Sequence, residues 1–351
     1  MTSTSASRSS RSNRSNHSWD LPLRTKLLAR ALSRVGRPVS ALSREELPAA
    51  RAWRAPAHPP FSWITGPAFS DVEVTPHSFH ARDGAEVVVR LYRPTLPGAT
   101  SAVPQPERPP VLVWFHGGGW VLGNLDGYDP ICSWLAHETR VAVISVDYRL
   151  APEFTAPRAV HDCVDAVRWV TAAQESLRVD AAGLGVAGDS AGGNLAAVVS
   201  QVVRDEGGAD IGYQALLYPG TDATMSHPSV KEHADAPILT RDDIEAFIRH
   251  YLGSEPEALT PQDPLVSPLH ARDHRGLPPA LIQTADLDPL RDEGLAYATK
   301  LADAGVPVVV TNYPRVPHGF HSFPGATPVG RAARAELATW VVRRSHQRSV
   351  H

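Results

Sequence analysis

Short apolar runs recur through the middle and C-terminal parts of the chain, at residues 111–115, 141–146, 184–187, 213–218, 280–283 and 306–311. Each is too short for a helix and is bounded by polar, Gly or Pro positions, so each is predicted to be a buried strand. Helix-length segments lie between most of them, at 160–173, 194–203 and 290–304, and a closing helix is expected at 330–343. Continuously apolar strands alternating with helices predict an α/β fold, its largely parallel sheet covered on both faces. Alternation in Glu86-Val87-Val88-Val89-Arg90-Leu91-Tyr92 adds an earlier strand, and the Pro-, Gly- and Ser-containing stretch 94–110 reads as a surface loop.

Two regions break this rhythm. Residues 221–268 are too long for a simple crossover and contain their own helix from about Thr240, opened by the capping sequence Thr240-Arg241-Asp242-Asp243. They are expected to be an insertion lying over one edge of the sheet. At the other end, residues 1–17 are Ser-, Arg- and Asn-rich and are expected to be disordered. From Asp20 an amphipathic helix is predicted, with Leu23, Leu27, Leu28, Ala31, Leu32 and Val35 on one stripe. Residues 47–67, with Trp53 and Trp63 among several prolines, read as irregular structure lying against something apolar.

Composition narrows the class. At 351 residues, 42% hydrophobic and 20% charged, the chain is an ordinary globular protein with enough length for a large core. No apolar stretch approaches the roughly 18–20 residues that would span a bilayer, so no integral membrane association is expected. The first residues lack the apolar segment of a secretory signal, and Cys132 and Cys163 stand in no metal or redox spacing. A cytoplasmic setting is expected. The net charge of −3 conceals an asymmetry, because the first 54 residues alone carry +8. A basic arm of this kind can touch nucleic acid or anionic lipid, but its composition reads as a solvated leader, and no nucleic-acid partner is expected.

The densest chemistry is Gly188-Asp189-Ser190-Ala191-Gly192, where the strand at 184–187 gives way to a helix. Glycines on both sides permit a sharp turn that lifts the Ser hydroxyl off the backbone and points the first helical amides at it. A Ser hydroxyl needs a base, and the base needs a partner to hold its tautomer. Downstream, the strand at 280–283 leads to Asp288, with Asp286 and Asp292 as competitors. The strand at 306–311 leads to His318, with His321 as a near rival. Upstream, His116-Gly117-Gly118-Gly119-Trp120 follows the strand at 111–115. Its bare glycine amides, with that of Ala191, can face an oxyanion. No Gly-Lys-Ser/Thr follows, so this is not a phosphate loop. The G-x-G-x-x-G at 183–188 matches a dinucleotide fingerprint, but it begins and ends a late strand rather than following the first one.

These blocks, with Asp147-Tyr148-Arg149-Leu150-Ala151-Pro152-Glu153, Asp288-Pro289-Leu290-Arg291-Asp292-Glu293-Gly294 and His318-Gly319-Phe320, resemble the hormone-sensitive-lipase-like carboxylesterases of the α/β-hydrolase fold over residues 85–345. The resemblance implies a mostly parallel sheet of about eight strands with helices on both faces and a helical cap. The tail at 1–17 has no counterpart in that family; beyond it the resemblance implies an N-terminal cap segment at 18–70 and a catalytic domain at 71–351 with a cap insertion at about 221–263. It also implies hydrolysis of short- to medium-chain esters by Ser190, His318 and Asp288, with an oxyanion hole from Gly117, Gly118, Gly119 and Ala191. No cofactor or metal is called for. Trp120 and Asp189 are assigned to the substrate pocket, and the Tyr, Arg and Glu of the 147–153 block to bracing the sheet edge and oxyanion loop. A small-molecule ester is the expected partner, and a homodimer is compatible with the sequence. Rival readings are a small-molecule receptor on the same scaffold, and an amidase, lactonase or acyltransferase with the same triad.

Overall fold

The computed structural model describes residues 19–54, 58–59, 61–67, 69–95 and 108–346. The expected tail at 1–17 and most of the expected loop at 94–110 lie outside these residues. In chain order the elements are α1 (Leu23–Val35), α2 (Leu47–Arg51), α3 (Phe61–Thr65), β1 (Val72–His80), β2 (Glu86–Pro94), β3 (Pro110–Phe115), α4 (Leu125–Thr139), β4 (Ala142–Val146) and α5 (Arg158–Ala172). They continue with β5 (Asp180–Asp189), α6 (Ala191–Glu206), β6 (Ile211–Leu217), α7 (Pro228–Glu232), α8 (Arg241–Leu252), β7 (Ala280–Leu287), α9 (Arg291–Asp303), β8 (Val308–Pro317) and α10 (Gly330–His346).

The eight strands form one sheet in the order β1-β2-β4-β3-β5-β6-β7-β8. β1 and β2 pair antiparallel with each other and β2 pairs antiparallel with β4, while every pairing from β4 to β8 is parallel. Successive side chains of a strand point to opposite faces, and β3 shows the result. Val111, Val113 and Phe115 enter a core shared with α5, α6 and α9, whereas Leu112 and Trp114 enter a second core shared with α4 and α10. Both faces of β3 are therefore dry, which is why its sequence reads as an unbroken apolar run.

Several elements escaped the sequence pattern, among them α7 and the short helices α2 and α3, which form within the 47–67 stretch expected to be irregular. β1 is an edge strand that buries only Val72 and Phe79 and contains Pro76, so it shows no sustained alternation. α4 contains Pro130 and Gly127, which read as breakers, yet Asn124 caps it by accepting from the Gly127 amide at 2.8 Å. At the N-terminus the helix is as expected and the packing of the 47–67 stretch is not. α1 forms where predicted, but its leucine stripe does not face a core: Leu23 is 71% exposed and Leu27 56%. Trp53 and Trp63 likewise stand in solvent rather than against apolar surface.

The glycines of the dinucleotide-like motif prove to be packing glycines inside β5. A Cβ on Gly185 would stand 2.2 Å from the Tyr213 ring on the neighbouring strand. No phosphate cradle is formed there.

Candidate active site

The C-terminal ends of the parallel strands bring the motif residues to one edge of the sheet, the usual site of chemistry in open α/β folds. Ser190 sits between β5 and α6 with φ +55° and ψ −121°, a conformation a non-glycine residue holds only when its surroundings enforce it. The enforcement is visible. Ser190 donates its amide to the Leu217 carbonyl at 2.8 Å, and its own carbonyl accepts from the Asn194 amide at 3.0 Å. A Cβ on Gly192 would lie 1.9 Å from the Phe115 carbonyl oxygen, and one on Gly188 would strike Gly192. Both glycines are thus required for the turn to close against β3.

The rest of the constellation converges on the serine. Ser190 Oγ lies 2.8 Å from His318 Nε2, and His318 Nδ1 lies 2.7 Å from Asp288 Oδ2. With Nδ1 protonated toward the carboxylate, Nε2 is free to accept the hydroxyl proton. Asp288 is fully buried, and its second oxygen accepts from the Leu290 amide at 2.9 Å, which fixes the carboxylate plane. The Tyr218 ring meets the imidazole edge-on, with centroids 4.8 Å apart. The rivals lie elsewhere. Asp286 bonds Asn312 at 3.4 Å, Asp292 holds Ser229 and Arg291, and His321 is buried against Gln283.

The glycine loop departs from expectation at one residue. The Gly117 amide, expected among the oxyanion donors, is already used: it donates to Tyr128 Oη at 2.8 Å and Asp189 Oδ1 at 3.0 Å. A Cβ there would meet Asp189 at 2.6 Å. The amides of Gly118, Gly119 and Ala191 donate to no acceptor among the described residues. Gly118 and Gly119 have positive φ (+116° and +62°), and Gly119 touches the Phe247 ring so closely that a side chain would be excluded.

Asp189 also needs correction. Expected at the substrate pocket, it points away from the cavity and is buried under the loop, bonded to Gly117 and to Tyr128 Oη at 3.0 Å. Burial pushes its carboxyl up to about 6, against the opposing pull of the Tyr128 hydroxyl, His318 and the Gly117 amide. Its role here is to hold the loop. His116 is equally internal: burial pushes it down to about 4, and Nδ1 bonds the Gly117 carbonyl at 2.8 Å. Tyr148 stacks on it at 4.3 Å and donates its hydroxyl to the His116 carbonyl at 2.6 Å. Arg149 bonds Asp162 and Asp83, while Glu153 pairs with Arg51 at 2.7 Å.

A cavity of about 40 Å³ opens beside Ser190. Gly119, Trp120, Ala191 and Gly220 form one side, and Leu239, Ile244, Phe247 and Ile248, in and just before α8, form the other. Trp120 stacks flat on Tyr251, with ring centroids 4.4 Å apart. Two acids missed by sequence reasoning also line the space. Glu293 is buried and accepts from the Thr221 and Asp222 amides at 2.7 and 3.2 Å; burial holds its carboxyl well above the usual range. Burial also raises Asp222, but hydrogen bonds from His227, Thr224 and His270 outweigh it and hold that carboxylate well below the usual range. Glu293 lies in the same block as Asp288, five residues on, and that proximity was the only signal available.

Comparison with known proteins agrees with this geometry. A family model described as alpha/beta hydrolase fold matches residues 112–322. Carboxylesterase NlhH of Mycobacterium tuberculosis is 46% identical over 225 residues, covering 64% of this chain and 70% of the relative. Ethyl acetate hydrolase of Pseudomonas putida is 38% identical over 260 residues, covering 73% and 78%. Among solved structures, a thermostable esterase from Pseudomonas putida superposes with a TM-score of 0.79 at 32% identity, covering 93% of this chain and 98% of that one.

Proposed function

The chain belongs to the hormone-sensitive-lipase-like family of α/β-hydrolases, and from that premise we propose that Ser190, His318 and Asp288 carry its ester hydrolysis. The protein is a serine carboxylesterase. Ser190 Oγ attacks the ester carbonyl while His318 Nε2 takes its proton. Asp288 keeps the imidazole oriented and stabilises its cationic form. The amides of Gly118, Gly119 and Ala191 receive the charge that develops on the carbonyl oxygen; one such donor is typically worth about 10²–10³ in rate. Collapse of the tetrahedral intermediate expels the alkoxide, which His318 protonates. The same imidazole then activates water to cleave the acyl-enzyme and return the proton to Ser190.

The observation that carries this reading is the continuous chain Ser190–His318–Asp288, with links of 2.8 and 2.7 Å, beside a cavity and amides that have no acceptor among the described residues. The small cavity favours short to medium acyl groups. Residues 221–263 are assigned as the cap over the acyl side, because Leu239, Ile244, Phe247 and Ile248 wall the cavity; the cap role expected of 18–70 is supported by Ser40, whose hydroxyl donates to Asp243 of α8 at 2.9 Å. The test is hydrolysis of an aryl-ester series of increasing chain length by wild type and Ser190→Ala. Wild type should prefer the shorter chains, and the variant should lose at least about 10³-fold in kcat. Equal rates would remove Ser190 from the reaction.

A further inference from the structure

We infer that α1 and α3 form a docking surface for an anionic lipid bilayer, a role separate from ester hydrolysis. α1 is an amphipathic helix without a buried apolar face among its described side chains: Thr25 is buried, Leu28 and Leu32 are half-buried, and Leu23 and Leu27 point into solvent at 71% and 56% exposure. Holding an apolar stripe in water gains nothing for the fold, since burial is the source of hydrophobic stabilisation. The same outer side carries Arg24, Arg30 and Arg34, with Lys26 half-buried beside them, and the helix has no acidic residue. None of these four cations is ion-paired among the described residues.

α3 supplies an independent observation. Phe61 is 43% exposed and Trp63 73%, an arrangement costly in water and suited to the headgroup boundary of a bilayer. The two helices share one seat. Thr25 Oγ1 donates to the Ala326 carbonyl at 2.9 Å, and the adjacent Gly325 donates its amide to the Ile64 carbonyl at 3.1 Å. Both therefore rest on the segment that follows His318, and both turn apolar side chains outward. Leucines flanked by unpaired arginines, with an exposed Trp alongside, match the apolar and anionic layers of a lipid surface. A nucleic acid would use the arginines but leave the leucines and aromatic rings without a partner.

The experiment is co-sedimentation of the full chain with vesicles of phosphatidylcholine plus phosphatidylglycerol, against vesicles of pure phosphatidylcholine. Wild type should pellet with the anionic vesicles and be released by high salt. Arg24→Gln/Arg30→Gln/Arg34→Gln should weaken partitioning roughly a hundredfold. Leu23→Ser/Leu27→Ser and Trp63→Ser should each weaken it about tenfold or more. All these side chains are exposed, so hydrolysis of a water-soluble ester should be retained as proof of folding. No binding to anionic vesicles, or binding unchanged in the leucine and tryptophan variants, would overturn the inference. So would a shift in oligomeric state, or DNA binding, that follows these substitutions while vesicle binding does not.

Discussion

At the residue scale, the sharpest contrast is between two neighbours. Ser190 presents the hydroxyl proposed as nucleophile to His318, while Asp189 is buried beneath the loop that faces it. The Asp189 carboxyl is raised from 3.8 to about 6, so the folded protein binds that proton more tightly than the unfolded chain does. Its contribution to stability is complete below pH 3.8 and is lost as pH rises through about 6. The ionised group then costs on the order of 3 kcal/mol at neutral pH. Asp189→Asn keeps an acceptor for the Gly117 amide and removes the buried charge. Its stability relative to wild type should therefore increase between pH 4.5 and 7.5, by roughly the same few kcal/mol. Urea unfolding of both proteins across that range is the check; parallel stability curves would show that the carboxylate carries no such burden.

At the element scale, the insertion helix α8 sets the size of the cavity through Phe247, whose ring sits against Gly119. Phe247→Ala should lengthen the accepted acyl chain. Accommodating the extra methylenes should raise kcat/KM for a hexanoate relative to an acetate by about tenfold or more. An unchanged ratio would move the chain-length filter to another wall. The same scale shows what the sequence could and could not reveal. β3, β4, β5, β6 and β7 were legible because both their faces are buried, leaving an apolar run with turn residues at its ends. β1 was not, because an edge strand needs few apolar positions. The positions of Ser190, Asp288 and His318 were readable since each follows a strand at a chemically distinctive residue. Gly117 and Asp189 were misassigned because the direction of an amide, or of a buried carboxylate, depends on Tyr128, which lies in a helix the pattern concealed.

At the scale of the whole molecule, the side chain of Arg51 ties the N-terminal segment to the glycine loop. Arg51, at the end of α2, donates Nε to the Val121 carbonyl and Nη2 to the Ala151 carbonyl, each at 2.7 Å, while Nη2 also pairs with Glu153. Ala151 in turn donates its amide to the Trp120 carbonyl at 2.9 Å. The guanidinium thus clamps the loop carrying Gly118 and Gly119 to the Tyr148–Glu153 turn, more than 50 residues from either in sequence. Charged hydrogen bonds of this kind are worth about 1.5–3 kcal/mol each, and Arg51→Ala leaves two carbonyls without their donor. The loop would then relax, and the Gly118 and Gly119 amides would no longer be held where the oxyanion forms. Arg51→Ala should lower kcat on a short aryl ester by roughly 10–100-fold, since a misaligned oxyanion donor costs transition-state rather than ground-state binding. KM should change little, because Arg51 itself does not line the cavity. Arg51→Lys, which reaches one carbonyl but lacks the planar fork, should fall between the two. Steady-state kinetics beside a thermal melt separates the alternatives. A lowered Tm with unchanged kcat would make Arg51 a purely structural strut, whereas a kcat loss graded from Lys to Ala at constant KM would tie the N-terminal segment to the reaction.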